Sequence, residues 1–554
     1  MRRKKNPVLK VLLPAAFLVA AAAGVLVYRY LPSGRHMDLG AYFSVGKDEP
    51  GAVITIGDQI LEERGLILNG EGYLPLQVVQ DHLNKKFYWD EETAQILYAL
   101  PDRLTTTQPG SQPGEKVLLV DDSLYLNLSF IKEYTDLDTV IEHEPDRIAI
   151  QNRFDGVEAV TVTRKGKIRY RGGIKAKILT EVNPGDTLLF HEDLDDWVCV
   201  TSWDGLTGYI EKGKVSEPAP LSMERVFKPE KVSFIQAEEP VTMIWHSSIG
   251  SESNDFLVQD TQDMMGVNVL SPTWFSLTDT SGNIRSFATA NYIADAHRMG
   301  CQVWGLVDNF EDGVSTFQTL SSYSARQNLI SGLMDQALTF GLDGINVDFE
   351  MLTEDSIPHF LEFLRELSIR THAAGLILSV DVPCPENNYT TFYDRAEQGD
   401  VVDYMIIMGY DEHTAGSAEA GSVASYPWVE QGIIDTIAEV PAERVIIGVP
   451  FYTRLWHTQA GTLYSDVLGI YQQAQAIPTD KNVQSYWDTE LHQNVASWDA
   501  DGIHYQIWME DAASIADKVA LGRSYGLAGT AGWRLGLETK DIWYAIMDAQ
   551  GGGE

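Results

Sequence analysis

The sequence predicts an α/β chain: a (β/α)8 barrel in the C-terminal half, preceded by a small α+β domain, a small all-β barrel and an N-terminal transmembrane helix. Three observations carry this. From about Pro240, short apolar runs alternate with helical segments until eight such strands are counted. Between Glu158 and Glu217, short strand-like runs recur at regular spacing. At the N-terminus, Val11 to Tyr28 carries no charge behind a basic start.

The length of 554 residues calls for several domains, because single hydrophobic cores stop growing near roughly 250–300 residues. The 41 basic and 79 acidic residues leave a net charge of −38, a surface that repels nucleic acid and anionic lipid. No nucleic-acid partner is expected. The three cysteines, Cys199, Cys301 and Cys384, are far apart and show neither a disulfide framework nor metal spacing. No metal or other cofactor is expected.

Arg2, Arg3, Lys4 and Lys5 precede the apolar stretch from Val8 to Tyr28, which Lys10 and Pro14 interrupt. The uncharged part is at the short end of what spans a bilayer, and its basic flank should stay in the cytoplasm with the bulk of the chain outside. A cleaved signal peptide, with Ala20 to Gly24 as its cleavage region and a secreted or wall-associated product, is the alternative. Val25 to Tyr28 continue the apolar run and favour the retained anchor.

The expected organisation is 1–37 for the basic segment, anchor and linker, 38–155 for the α+β domain, 156–217 for the small barrel, 218–239 for a linker and 240–554 for the (β/α)8 barrel. In 38–155, a strand at Ala52–Ile56, a turn at Gly57, a strand at Tyr73–Leu76, a helix through Val78 and Leu83, and strands at Phe87–Trp89 and Ala94–Tyr98 are followed by a weaker copy of the same order. Gly57, Leu74-Pro75-Leu76 and Tyr88-Trp89-Asp90 resemble the copper amine oxidase N-terminal domain, a resemblance that implies a spacer or binding module and no copper chemistry. Asp195-Asp196-Trp197 and Asp204-Gly-Leu-Thr-Gly-Tyr-Ile210 resemble the bacterial Src-homology-3 barrel, which implies wall or peptide binding; a plain spacer is the alternative.

In the C-terminal half the strands are read at Val241–Trp245, Val267–Leu270, Gln302–Val307, Gly344–Phe349, Leu376–Asp381, Tyr404–Met408, Val445–Val449 and Leu527–Trp533. Helices lie between them, including Ser356–His372, with Ser356 as its cap, and Asp511–Tyr525. The fourth strand reads Asp343-Gly-Ile-Asn346-Val-Asp348-Phe-Glu350. Side chains alternate along a strand, so Asn346, Asp348 and Glu350 share one face and Val347 and Phe349 the other. Three polar groups on the inner face of a doubly covered strand are costly without a purpose, and at the C-terminal end of a barrel strand such a group reads as catalytic. Two close carboxyls in a dry site cannot easily both ionise, so one keeps its proton at neutral pH. Glu350, last on the strand and nearest the open end, is the better proton donor.

That motif is similar to the DxxDxDxE signature of glycoside hydrolase family 18. Met408-Gly-Tyr410-Asp411 is similar to the family's M-x-Y-D, and Trp533 to the tryptophan under its reacting sugar. Gly448 to Trp456, with Tyr452 and Arg454, and Trp508 to Asp511 look most like the branch of peptidoglycan N-acetylglucosaminidases and spore-germination hydrolases. The resemblance implies retaining, substrate-assisted cleavage of β-1,4 bonds next to N-acetylglucosamine. It implies Glu350 as general acid and base, Asp348 orienting the 2-acetamido group and Tyr410 bonding its oxygen. It further implies Asn346, Asp343, Met408, Asp411, Trp533, Arg454 and Tyr452 as substrate-binding residues, and peptidoglycan or a chitin-like polymer as partner. The sequence departs from the pattern in two places: Asn346 stands where the family has Asp, and Trp304-Gly-Leu-Val-Asp308-Asn309 replaces its Ser-x-Gly-Gly. A chitinase or chitooligosaccharidase, or an inactive lectin-like barrel, are the competing readings.

Overall fold

The computed structural model describes residue 24 and residues 28–46, 50–385, 392–478 and 483–551. The anchor expected at Val11 to Tyr28 lies almost wholly outside them. Among the described residues no helix is long and apolar enough to cross a membrane.

The chain divides into two compact units, Met1–Phe87 with Thr107–Pro229, and Tyr88–Thr106 with Glu230–Glu554. The first unit holds two sheets. One is built around Ala52–Ile56, which pairs antiparallel with Gln59–Leu68 and parallel with Arg147–Gln151. The helices Leu76–His82 and Leu128–Tyr134 each follow a strand of this sheet, as the duplicated pattern requires. The other sheet has seven strands, with Trp197–Thr201 between Thr207–Glu211 and Thr187–Leu194. Its core gathers Val160, Ile168, Leu188, Val200 and Ile210.

In the second unit eight strands close a parallel barrel: β1 (Val241–His246), β2 (Val269–Leu277), β3 (Gln302–Asp308), β4 (Gly344–Asp348), β5 (Ile377–Pro383), β6 (Tyr404–Met408), β7 (Val445–Pro450) and β8 (Gly529–Trp533). Each pairs with its neighbours in sequence, and β1 closes the ring by pairing with both β2 and β8. Runs such as Tyr404-Met-Ile-Ile-Met408 are apolar throughout because both faces are covered, by helices outside and side chains inside. The inner layer includes Met243, Trp304, Leu306, Ile406 and Ala531. Trp304 stacks on Tyr404 across it at 5.6 Å between ring centres. At Gly529 a Cβ would lie 2.0 Å from the Val241 carbonyl oxygen, so β8 approaches β1 only because that residue is glycine.

The helix after β4 runs Ile357–Ala373, one residue later than expected, with Pro358 in its first turn. Ser356 is not its side-chain cap. Its backbone is already helical and its hydroxyl meets Thr353 Oγ1 at 2.6 Å, so the oxygen is turned away from the helix's free N–H groups. Asp511 does cap the helix Ala512–Ser524, accepting from the N–H groups of Ala513 and Ser514.

Two features were not read from the sequence. Between β7 and the Ala512–Ser524 helix lies a five-stranded antiparallel sheet, centred on Tyr452–Gln459, Ile503–Met509 and Gln493–Ala500. It has a small core of its own around Ala496, Trp498 and Ile507. The second is the sheet of Tyr88–Asp90, Gln95–Leu100 and Arg103–Thr107, most of which clusters with the barrel although it falls inside the 38–155 segment. The reason is electrostatic. Arg326, wholly buried on the helix Tyr323–Phe340, donates to Asp90 at 3.1 Å and to both carboxylate oxygens of Glu366 at 3.1 and 3.2 Å. The Tyr88 hydroxyl meets His359 Nδ1 at 2.5 Å. A guanidinium buried this deeply needs both carboxylates, and one comes from the inserted sheet.

Candidate active site

The C-terminal ends of the barrel strands carry the polar groups. Asn346 points inward from β4 with all its hydrogen-bonding used. Its Oδ1 accepts from Trp245 Nε1 of β1 and from Ser271 Oγ of β2, both at 3.1 Å, and its Nδ2 donates to Asp381 Oδ1 of β5 at 2.9 Å. The donors fix the amide's orientation, so its NH2 group faces a carboxyl. Two residues on, Asp348 is buried, and its Oδ1 is a buried oxygen without a hydrogen-bond partner among the described residues. Glu350 follows just beyond the strand, partly buried. Its backbone is held by Asn309, and the next residue, Met351, takes a left-handed φ of 50° and is 76% exposed. A non-glycine residue in that region costs about 1–2 kcal/mol, and it turns the chain away directly after the carboxyl.

The environment favours the neutral acid. Burial pushes the Glu350 carboxyl up, and the charge of Asp411 adds to it. Burial holds Asp348 well above the carboxylate range, with Asp381, Glu350 and Asp308 acting in the same direction. Asp381 is pushed up to about 8 by burial, against the opposing hydrogen bond from Asn346. Burial also raises Asp308, which accepts from Ser276 Oγ at 3.1 Å.

Tyr410 follows β6. Its ring meets Trp245 edge-on at 6.4 Å and Tyr452 at 6.2 Å, and burial keeps its hydroxyl protonated. Asp411, next in the chain with φ 66°, accepts from the Tyr452 hydroxyl at 2.6 Å. Trp533 ends β8, its ring 5.7 Å from that of Trp245. Arg454 lies two residues beyond Tyr452 and donates to Ser465 Oγ at 3.2 Å. Met408 ends β6, in register with Pro383 and Gly448.

Asp343 stands apart. It precedes β4, at the opposite end of the strand from Glu350, where its Oδ2 accepts from the Val303 N–H at 2.8 Å and pairs with His297 at 2.8 Å. Asp403, just before β6, does the same for the Leu378 N–H and His372. Both are ties at the N-terminal rim, where barrels keep their stabilising residues.

Four residues beside the chemistry had been assigned no role from the sequence: Trp245, Asp308, Asn309 and Asp381. Their signal was present, since each lies at or next to the C-terminal end of a strand. In register, Asp308 of β3 pairs with Asp348 of β4, and Val347 pairs with Val380, which brings Asp381 beside Asp348. Three carboxyls therefore form a row across neighbouring strands, with Glu350 above it. An acid kept protonated next to a buried carboxyl pair can donate a proton to a leaving oxygen while a carboxylate beside it balances developing positive charge.

Comparison with known proteins agrees with this architecture. The model of glycosyl hydrolases family 18 matches residues 222–538. A Bacillus subtilis glycosylase, YdhD, whose name describes it as sporulation-specific, is 34% identical over 226 residues, which are 40% of this chain and 53% of that protein. The cortical fragment-lytic enzyme of Bacillus subtilis is 27% identical over 240 residues, 41% of this chain and 54% of its own. The chain thus spans about half the length of these two relatives. The crystal structure of a chitinase from Chromobacterium violaceum superposes with a TM-score of 0.50 at 24% identity, covering 56% of this chain and 99% of that one, which supports the barrel fold. With the family model covering more than half of its residues, the chain belongs to glycosyl hydrolases family 18 and is a glycosidase.

Proposed function

We propose that this glycosidase cleaves β-1,4 bonds next to N-acetylglucosamine in peptidoglycan, with retention of configuration and with the substrate's own acetamide as nucleophile. The observation that carries the reading is the protonated Glu350 set above the buried, partnerless oxygen of Asp348. In this scheme Glu350 gives its proton to the glycosidic oxygen. The 2-acetamido carbonyl attacks the anomeric carbon, and Asp348 holds the amide N–H and balances the oxazolinium charge. Tyr410 donates to the acetamide oxygen, and Trp533 supplies an apolar face to the sugar ring. Water then opens the ring, with Glu350 as base. Asp411, Tyr452, Arg454, Asn346 and Met408 line or support the sugar site.

Peptidoglycan is favoured over chitin because the names of two relatives refer to sporulation and to cortical fragments. The likeness of residues 156–217 to the bacterial Src-homology-3 barrel adds to this as a wall-binding module, with residues 38–155 as stalk. The basic residues Arg2 to Lys5 before Val11 to Tyr28 support a membrane anchor with the bulk of the chain outside the cell. Release of reducing ends from purified peptidoglycan and from chitin, by the wild type and Glu350→Gln, tests the reading. Peptidoglycan-selective release that the variant abolishes is expected. Release from chitin alone would replace the substrate, and no difference between the proteins would refute the mechanism.

A further inference from the structure

Asn346 raises a question of charge. An amide cannot exchange a proton with Asp348, yet Asp348 has to change its state during the proposed reaction. In the free site its Oδ1 is buried with no donor, a setting that suits a neutral acid. Facing a positively charged intermediate it must be an anion. The proton needs somewhere to go.

The neighbouring strand offers the place. Val347 and Val380 are in register, so Asp348 and Asp381 are the next pair along β4 and β5, on the same inward face and one strand spacing apart, about 5 Å. Asp381 is 3% exposed and already accepts from Asn346 Nδ2 at 2.9 Å, so its carboxyl has a fixed position and a donor suited to a negative charge. Among the described residues, the charges bearing on the two carboxyls are those of Glu350 and Asp308, with the Tyr410 phenol facing both; none is a cation. Without a cation, two buried carboxyls hold one negative charge between them.

We propose that Asp381 is a positioning residue for Asp348, taking up the proton that Asp348 must give up before it can face the substrate's amide as an anion. This rests on the acetamide mechanism put forward above. One O–H bond breaks at Asp348 and one forms at Asp381, no electron is transferred, and the pair keeps its single negative charge. Asn346 has the holding part: its NH2 group steadies Asp381 while Trp245 and Ser271 keep the amide from turning. The acid that position 346 lacks is thereby provided from the adjacent strand.

The test compares the full chain with Asp381→Asn and with the double variant Asn346→Asp/Asp381→Asn. The substrates are the para-nitrophenyl glycoside of di-N-acetylchitobiose and purified peptidoglycan, across pH. Asp381→Asn should lower kcat by about 100-fold, the low end of what proton transfer contributes, with KM nearly unchanged. The double variant, with a carboxyl back beside Asp348, should recover at least about tenfold. Should Asp381→Asn fail to fold, Asp381→Ser takes its place. An Asp381→Asn kcat close to wild type overturns the proposal. So does a loss equal at every pH that the double variant does not relieve, because that is the behaviour of a packing residue. A wild type inactive on both substrates overturns the functional reading, and this inference with it; wild-type turnover alongside an indifferent Asp381→Asn overturns this inference alone.

Discussion

Asn309 holds the backbone of Glu350 from both sides: its Oδ1 accepts the Glu350 N–H at 2.9 Å and its Nδ2 donates to the Glu350 carbonyl at 2.9 Å. One side chain from the end of β3 thus sets where the acid stands beyond the end of β4. Its Nδ2 also meets Thr316 Oγ1 at 2.9 Å, which steadies the clamp. Removing it as Asn309→Ala should lower kcat by about 10- to 100-fold through misplacement of the carboxyl, leaving the pH profile in place. Steady-state kinetics across pH check this; an unaltered kcat contradicts it.

Glu350→Gln keeps the shape and removes the proton. Turnover should fall by about 1,000-fold or more. Binding of an N-acetylglucosamine oligomer, followed by Trp fluorescence from Trp533 and Trp245, should persist. Loss of binding together with turnover would mean that the carboxyl serves to hold the sugar.

The general acid must be protonated, so activity should decline as pH rises through the raised value of Glu350, above the ordinary carboxylate range. Asp411 contributes to the raising. Asp411→Asn should therefore move the alkaline limb of kcat/KM to lower pH. A limb that stays in place, or moves upward, would show that another group controls it.

Asp381 carries a stability consequence as well. Its folded-state value is pushed up to about 8, against roughly 3.9 in an unfolded chain. The folded state therefore binds the proton more tightly, and stability falls as pH rises from about 4 to about 8. Asp381→Asn removes that dependence. The melting temperature of the variant should overtake that of the wild type progressively across this window, and parallel curves would contradict it.

Arg326 joins the inserted sheet to the barrel helices through Asp90 and Glu366. Arg326→Ala leaves two buried carboxyls without their cation, which should cost about 3–5 kcal/mol. Denaturant unfolding measures this, and a loss below about 1 kcal/mol would show the carboxyls reaching other partners.

Local rules were enough to read the eight strands of the barrel and the face shared by Asn346, Asp348 and Glu350. Apolar runs with a period of two can be seen in one dimension, and a carboxyl at a strand's C-terminal end stands out against them. The same rules could not separate Asp343 from the site. It belongs to the same motif, and only the direction of β4 shows it at the far rim, bound to His297 and Val303. The five-stranded sheet after β7 was missed because its alternation is weak, Thr462–Gly469 being mostly exposed or half-buried, and its pairing joins residues far apart in the chain. The partnership of Asp381 with Asp348 through Asn346, and that of Asn309 with Glu350, arise from register between strands some thirty to forty residues apart. Periodicity along a single strand sets which way a side chain points; the closing of the barrel sets what it meets there, because that depends on how neighbouring strands are staggered.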